Sequence, residues 1–173
     1  VSFLCDSGTE FEGLKIWGSP WTKAFAGMHP LCKAFTVDSD EELEEKWKLI
    51  PKDVNILITH SPPFFGKGSD SDPLICERLN RLDRTVRGEN VGSKSMLKYL
   101  NPDAGLRLHV FGHIHEGYGM YEESNPIFHI TQVNASLVNE CYSPVNKPIR
   151  VIVNYIIILT SSKVRRSVPV NKI

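Results

Sequence analysis

The sequence predicts an α/β fold, and three observations carry that reading. Two apolar runs, Asn55 to His60 and Leu106 to Phe111, have the length and bulk of buried strands. A segment from Gly92 to Leu100 with helical character lies between them, giving the strand, helix, strand order of an α/β sheet. Both apolar runs end in histidine-bearing segments, Thr59-His60-Ser61-Pro62-Pro63 and Gly112-His113-Ile114-His115. Ligand sites of open α/β sheets lie beyond the carboxyl ends of strands.

Along the chain, Phe11 to Gly18 reads as a turn followed by a short strand, and Gly18-Ser19-Pro20-Trp21 breaks it. The acidic run Asp38 to Glu45 opens a helix. Ser39 is the N-cap and Glu42 stands three residues on, the spacing of a capping box. Carboxylates in a first turn suit the helix dipole, so the run reads as a solvated helix start. Leu43, Trp47 and Ile50 give the helix an apolar stripe, and Pro51 stops it. Phe64 to Asp72 reads as a loop and Leu74 to Leu82 as a short helix. Asn101-Pro102 ends the segment that starts at Gly92-Ser93. Pro126 to Asn134 and Pro148 to Tyr155 are strand-like.

Twenty basic and twenty acidic side chains cancel. That balance argues against a nucleic-acid polymer or a membrane surface as partner, so an anionic ligand would need a local site. The longest apolar run, Val151 to Leu159, is too short for a membrane-spanning helix of about 20 residues. Cys5, Cys32, Cys76 and Cys141 show no C-x-x-C pair, the pattern of reduced thiols in a cytoplasmic protein.

The chemistry rests on the histidines. Two adjacent strands would bring His60, His113 and His115 to one rim, and imidazole is a common ligand of Mn, Fe, Ni and Zn. If the segment is extended, His113 and His115 point to the same side. An isolated H-x-H is weak evidence of a metal, and ordinary strand-end histidines are the alternative. His109 and His129 read as packed strand residues and His29 as a loop residue. Tyr118 reads as packing, Ser93 as an N-cap rather than an anion site, and Lys67 as a solvated lysine. Asn134-Ala135-Ser136 matches a glycosylation sequon, and the reading leaves it unmodified.

The pair of strand-end motifs resembles the last two motifs of the calcineurin-like metallophosphoesterase superfamily, H and G-H-x-H. Gly13 to Trp21, Lys46 to Pro51, Asn55 to Pro63, Leu108 to Gly119 and Val133 to Ser136 resemble its metallophosphoesterase-domain-containing (MPPED) branch. The resemblance covers about 6–155. It implies the C-terminal part of a four-layer α/β/β/α sandwich over residues 1–155, followed by a divergent basic tail over 156–173. It also implies two divalent metal ions (Mn, Fe, Zn or Ni), with His60 and His113 on the second metal and His115 on the first. Paired metals orient a phosphoryl group and offset its charge during in-line attack. The implied substrate is a phosphate ester, with phosphodiesters such as cyclic nucleotides among them.

The family's earlier motifs, D-x-H, G-D and G-N-H-[DE], do not occur; Asp6-Ser7-Gly8 is not D-x-H. The expectation is a chain truncated at its N-terminus, whose site is completed by a missing N-terminal half. An open sheet face would then favour poor solubility or a homodimer. A non-catalytic remnant or an interaction module on the same scaffold is the alternative.

Overall fold

The structure is a computed structural model, and it describes residues 1–25, 28, 31, 33–66, 77–122 and 130–153. His29, Lys67, His129, Cys32, Cys76 and the tail 156–173 lie outside the described residues.

The α/β expectation holds. A six-stranded mixed sheet runs in the order β1 (Ser7–Phe11), β2 (Leu14–Ser19), β5 (Ile56–Thr59), β6 (Leu108–Phe111), β8 (Thr131–Asn134) and β7 (Gly119–Tyr121). The four inner strands are parallel, and β1 and β7 pair antiparallel at the edges. A two-stranded piece, β3 (Thr22–Lys23) with β4 (Thr36–Val37), stands apart. This arrangement is compatible with part of a metallophosphoesterase sandwich.

The register decides which side chains share a face. Ile16, Ile56, Leu108 and Thr131 are aligned across the sheet, so their neighbours Trp17, Leu57, His109 and Gln132 point to the other side. That second side carries the core. The helix α1 (Asp40–Trp47) lays Leu43 and Trp47 on it, together with Val54, Leu57, Met96, Leu106 and Ile130. A smaller cluster of Phe65, Leu79, Leu82 and Phe111 continues it. The opposite face is more open: Ile58 is 42% exposed and Met120 43%. Sheets with parallel inner strands are ordinarily covered on both faces.

The start of α1 follows its sequence. Ser39 accepts from the Glu42 amide at 3.2 Å, and the Glu42 carboxylate reaches back to the Asp38 amide at 3.0 Å. Asp40 is not merely solvated, however. Its carboxylate accepts from Ser93 Oγ at 2.6 Å and from the Ser95 amide at 2.9 Å. The segment 92–100 does not form the expected α-helix. The segment is a short 3-10 helix, Ser95–Tyr99, whose first amides are taken by side chains: Ser95 by Asp40, and Met96 by Ser93 Oγ at 3.3 Å.

Three further differences stand out. The edge strand β1 is exposed along most of its length, so it has no buried side to write into an apolar pattern. A two-residue turn joins it to β2, with Glu12 and Gly13 both at positive φ. Residues 148–153 form no strand: Pro148 offers no amide to a ladder, and Ile152 is 66% exposed. The described part of 74–82 is helical only over Glu77–Asn80.

His109 is packed and partnered, as expected from its alternation with Val110. It is fully buried, with Nε2 2.8 Å from Thr59 Oγ1 and Nδ1 3.0 Å from Gln132 Oε1. Burial pushes its pKa down to about 3, against a weaker upward pull from Gln132. The unfolded chain therefore binds a proton near pH 6.5 that the folded chain refuses until about pH 3. Stability is expected to fall as pH drops through that window, by about 1.4 kcal/mol per pH unit from this group alone. Urea midpoints measured across the window should show a shallower acid slope in His109→Gln. An unchanged slope would contradict this assignment.

Candidate functional site

The site grows out of the β5–β6 ladder. The His60 amide donates to Ser19 O at 3.1 Å, and His60 O accepts from the Gly112 amide at 3.2 Å. Pairing therefore continues one residue past both strands, which fixes His60 beside Gly112. The chain then turns sharply. The Ile114 amide bonds back to Gly112 O at 2.7 Å, and His113 between them has φ 68°. A three-residue turn with its central residue at positive φ is rare and strained, at a cost on the order of 1–3 kcal/mol.

The turn brings two imidazoles together. His113 Nδ1 lies 3.0 Å from His60 Nε2, with ring centres 4.8 Å apart. On its far side His113 Nε2 is 3.3 Å from Thr22 Oγ1, and the Phe25 ring stands edge-on at 5.8 Å. Burial lowers the His113 pKa to about 4, with the charges of His60 and His115 adding to the effect. His60 is also lowered, first by enclosure of its ring and then by His115, although the residue keeps an exposed edge. Both rings are neutral at physiological pH, the form that ligates metals.

His115 is held differently. The expectation of an extended segment is not met, because the turn at His113 leads directly into a 3-10 helix, His115–Gly117. His115 stacks edge-on against Tyr142 at 4.9 Å. It is near enough to depress both other histidines, but its hydrogen-bonding atoms are not part of their pair.

The donor chemistry sets a limit. Two nitrogens bound to one ion at about 2.1 Å lie about 3.0 Å apart at the right angle of an octahedral site and about 3.4 Å apart in a tetrahedral one; the His60–His113 pair, hydrogen-bonded at 3.0 Å, has the shorter spacing. Among the described residues, no group of three or more His, Cys, Asp or Glu side chains stands close enough together to hold an ion. The pair thus offers two imidazole nitrogens, with no third such donor grouped with them among the described residues. Asp6 does not supply one: its carboxylate accepts from Ser19 Oγ and Trp21 Nε1, each at 2.7 Å.

The residues that hold the turn gave little signal in the sequence. Asn134 is fully buried, and its Nδ2 donates to Ile114 O and Leu82 O, both at 2.8 Å. Ser136 Oγ donates to Asn134 Oδ1 at 2.7 Å. The sequon therefore serves packing, and its amide is sealed from solvent. A side chain at Gly117 would run into Leu82 O and Asn134 Nδ2, so only glycine fits there. Tyr118 is a packing residue, donating its hydroxyl to Lys147 O at 2.6 Å. Asp83, also fully buried, accepts from the amides of Phe65 at 3.2 Å and Gly92 at 3.0 Å, and from Asn90 Nδ2 at 2.6 Å. Burial raises its pKa against the pull of those donors. The loop after His60 is thereby tied to 90–92, where a side chain at Gly92 would strike the Pro63 carbonyl.

A cavity of about 710 Å³ opens beside His113, walled by Thr22, Phe25 and Phe64 on one side and by the 85–94 segment on the other. Asn134→Ala would take the donor from the buried Leu82 carbonyl and one of the donors from Ile114 O, which keeps the Gly117 amide at 3.1 Å, and is expected to cost about 1–3 kcal/mol. Urea unfolding measures that directly, and an unchanged midpoint would contradict the role given to Asn134.

Among the described residues, no helix is long and apolar enough to cross a membrane. No protein-family model matches the chain. Curated relatives do. The chain is 38% identical over 148 residues to metallophosphoesterase domain-containing protein 1 of Homo sapiens and equally to that of Mus musculus. These matches cover 85% of this chain and 38% of each relative. A UPF0046 protein of Caenorhabditis elegans is 31% identical over 147 residues, 85% of this chain and 31% of its own length. The chain thus spans about a third of the length of the relatives it matches. Across the segment that carries both histidine motifs, the chain is similar to metallophosphoesterase-domain-containing proteins.

Proposed function

We propose that this chain carries the C-terminal part of a metal-dependent phosphoesterase site, in which His60 and His113 bind one divalent ion and His115 serves a second. One observation supports this most directly: two neutral imidazole nitrogens 3.0 Å apart, held at adjacent parallel strand ends by a strained turn. A bound divalent ion supplies charge to orient and polarise a phosphoryl group. The chain's own residues do the rest. Thr22 steers the His113 ring through Nε2, Asn134 fixes the backbone between the two motif histidines, and Phe25 and Phe64 line the cleft beside them. The reaction class is hydrolysis of phosphate esters, phosphodiesters and cyclic nucleotides included, with Mn, Fe, Zn or Ni as metal. The remaining donors would come from outside the described residues, from further polypeptide or a second copy of the chain.

A scaffold that keeps the histidine pair without catalysis is the second reading, favoured by the lack of a three-donor group among the described residues. Calorimetric titration with Mn²⁺, followed by hydrolysis of bis(p-nitrophenyl) phosphate, separates the two. The phosphoesterase reading expects Mn²⁺ binding weakened about tenfold or more by His60→Ala or His113→Ala, with turnover reduced by His115→Ala. Binding without turnover supports the scaffold. Binding and activity unchanged in the triple alanine variant would sink the metal assignment.

A further inference from the structure

The cavity beside His113 is larger than a phosphoryl group needs, and its walls are unevenly charged. Lys23, Arg87 and Lys94 all line it and all are exposed. Among the described residues, neither Lys23 nor Arg87 has an ion-pair partner, and the Lys94 ammonium rests 5.1 Å from the Phe64 ring centre. Two carboxylates share the wall. Asp40 accepts from Ser93 and Ser95, and Glu89 is the other.

The backbone that presents these cations is pinned. Arg87 sits on a turn closed by Thr85 N to Glu89 O at 2.9 Å and Gly88 N to Thr85 O at 2.8 Å. The neighbouring Val86 amide donates to Glu116 Oε1 at 2.7 Å, which ties the turn to the residue after His115. Lys94 follows Ser93, whose amide bonds to Pro62 O at 2.8 Å, two residues beyond His60. Thr85 Oγ1, in the same wall, is buried and has no hydrogen-bond partner among the described residues. Both arms of the cleft are thus fixed relative to the histidines. Among the described residues, no ion pair joins Lys23 or Arg87 to a carboxylate, and the three cations outnumber the two carboxylates of the wall.

We propose that this cleft is a subsite for a second anionic group of the substrate. The ester would carry, besides the phosphoryl group at the His60–His113 pair, a carboxylate, sulfate or further phosphate received by Arg87 and Lys94, with Lys23 at the entrance. Guanidinium suits a planar or tetrahedral oxyanion through paired hydrogen bonds, and ammonium adds a point charge. Phe25 and Phe64 leave room for an apolar spacer between the two anions. The inference rests on the phosphoesterase reading for the placement of the first group.

The test compares phenyl phosphate with 4-carboxyphenyl phosphate on the full chain by calorimetry, with and without Mn²⁺. The carboxylated probe is expected to bind about tenfold tighter. Arg87→Gln and Lys94→Gln should each erode that preference, whereas Lys52→Gln, the same charge change elsewhere on the surface, should leave it intact. Equal affinity for the two probes would overturn the subsite, and so would an equal loss in Lys52→Gln or no binding of either probe. Mn²⁺ binding at the histidines is read separately. If it persists without a probe preference, the subsite alone fails. If the preference persists while Mn²⁺ binding ignores His60 and His113, the metal reading fails and the anion cleft stands.

Discussion

The site depends on one backbone hydrogen bond, from the Gly112 amide to His60 O. It extends the parallel ladder beyond the last paired residues of β5 and β6 and sets the distance between the two histidine segments. Without it, the positive-φ turn at His113 would have no fixed reference, and the 3.0 Å approach of the two rings would be accidental. A strained turn persists only where its surroundings over-determine it. Here Asn134 and Gly117 do so from below, through the Ile114 carbonyl and a contact that admits no side chain.

The loops around the pair are held by polar groups, Asp83 buried and Asp40 half-buried, together with the apolar cluster around Phe65. Asp83 joins the segment after His60 to the 90–92 segment, and Asp40 joins α1 to the start of the 3-10 helix. Trp47 links the core to the same point by donating to Ser93 Oγ at 3.0 Å. A buried carboxylate is tolerable only when its oxygens are satisfied, so each of these groups ties flexible backbone into one arrangement. That arrangement is what gives the cavity beside His113 firm walls.

The parallel strands were legible because both are short apolar runs bounded by turn residues, and the helix because Ser39, Glu42, Leu43 and Trp47 agree on one face. Placing the histidines at strand ends was legible too. The local geometry was not. H-x-H implies a shared side only in extended chain, and nothing at Gly112-His113 announces a positive φ on a histidine. Asn134 matched a sequon that the sequence reading left unmodified, and its role was not legible because it is set by carbonyls 20 and 52 residues away in the chain. The edge strand β1 escaped because exposed strands need no apolar alternation.

X-ray absorption at the zinc edge tests the central claim most directly, because it counts ligands without requiring turnover. With one equivalent of Zn²⁺, the chain should show at least two imidazole nitrogens at about 2.0–2.1 Å, and His113→Ala should show one fewer. An unchanged imidazole count in that variant would contradict the pairing of His60 with His113 on one ion. So would a first shell dominated by thiolate sulfur at about 2.3 Å.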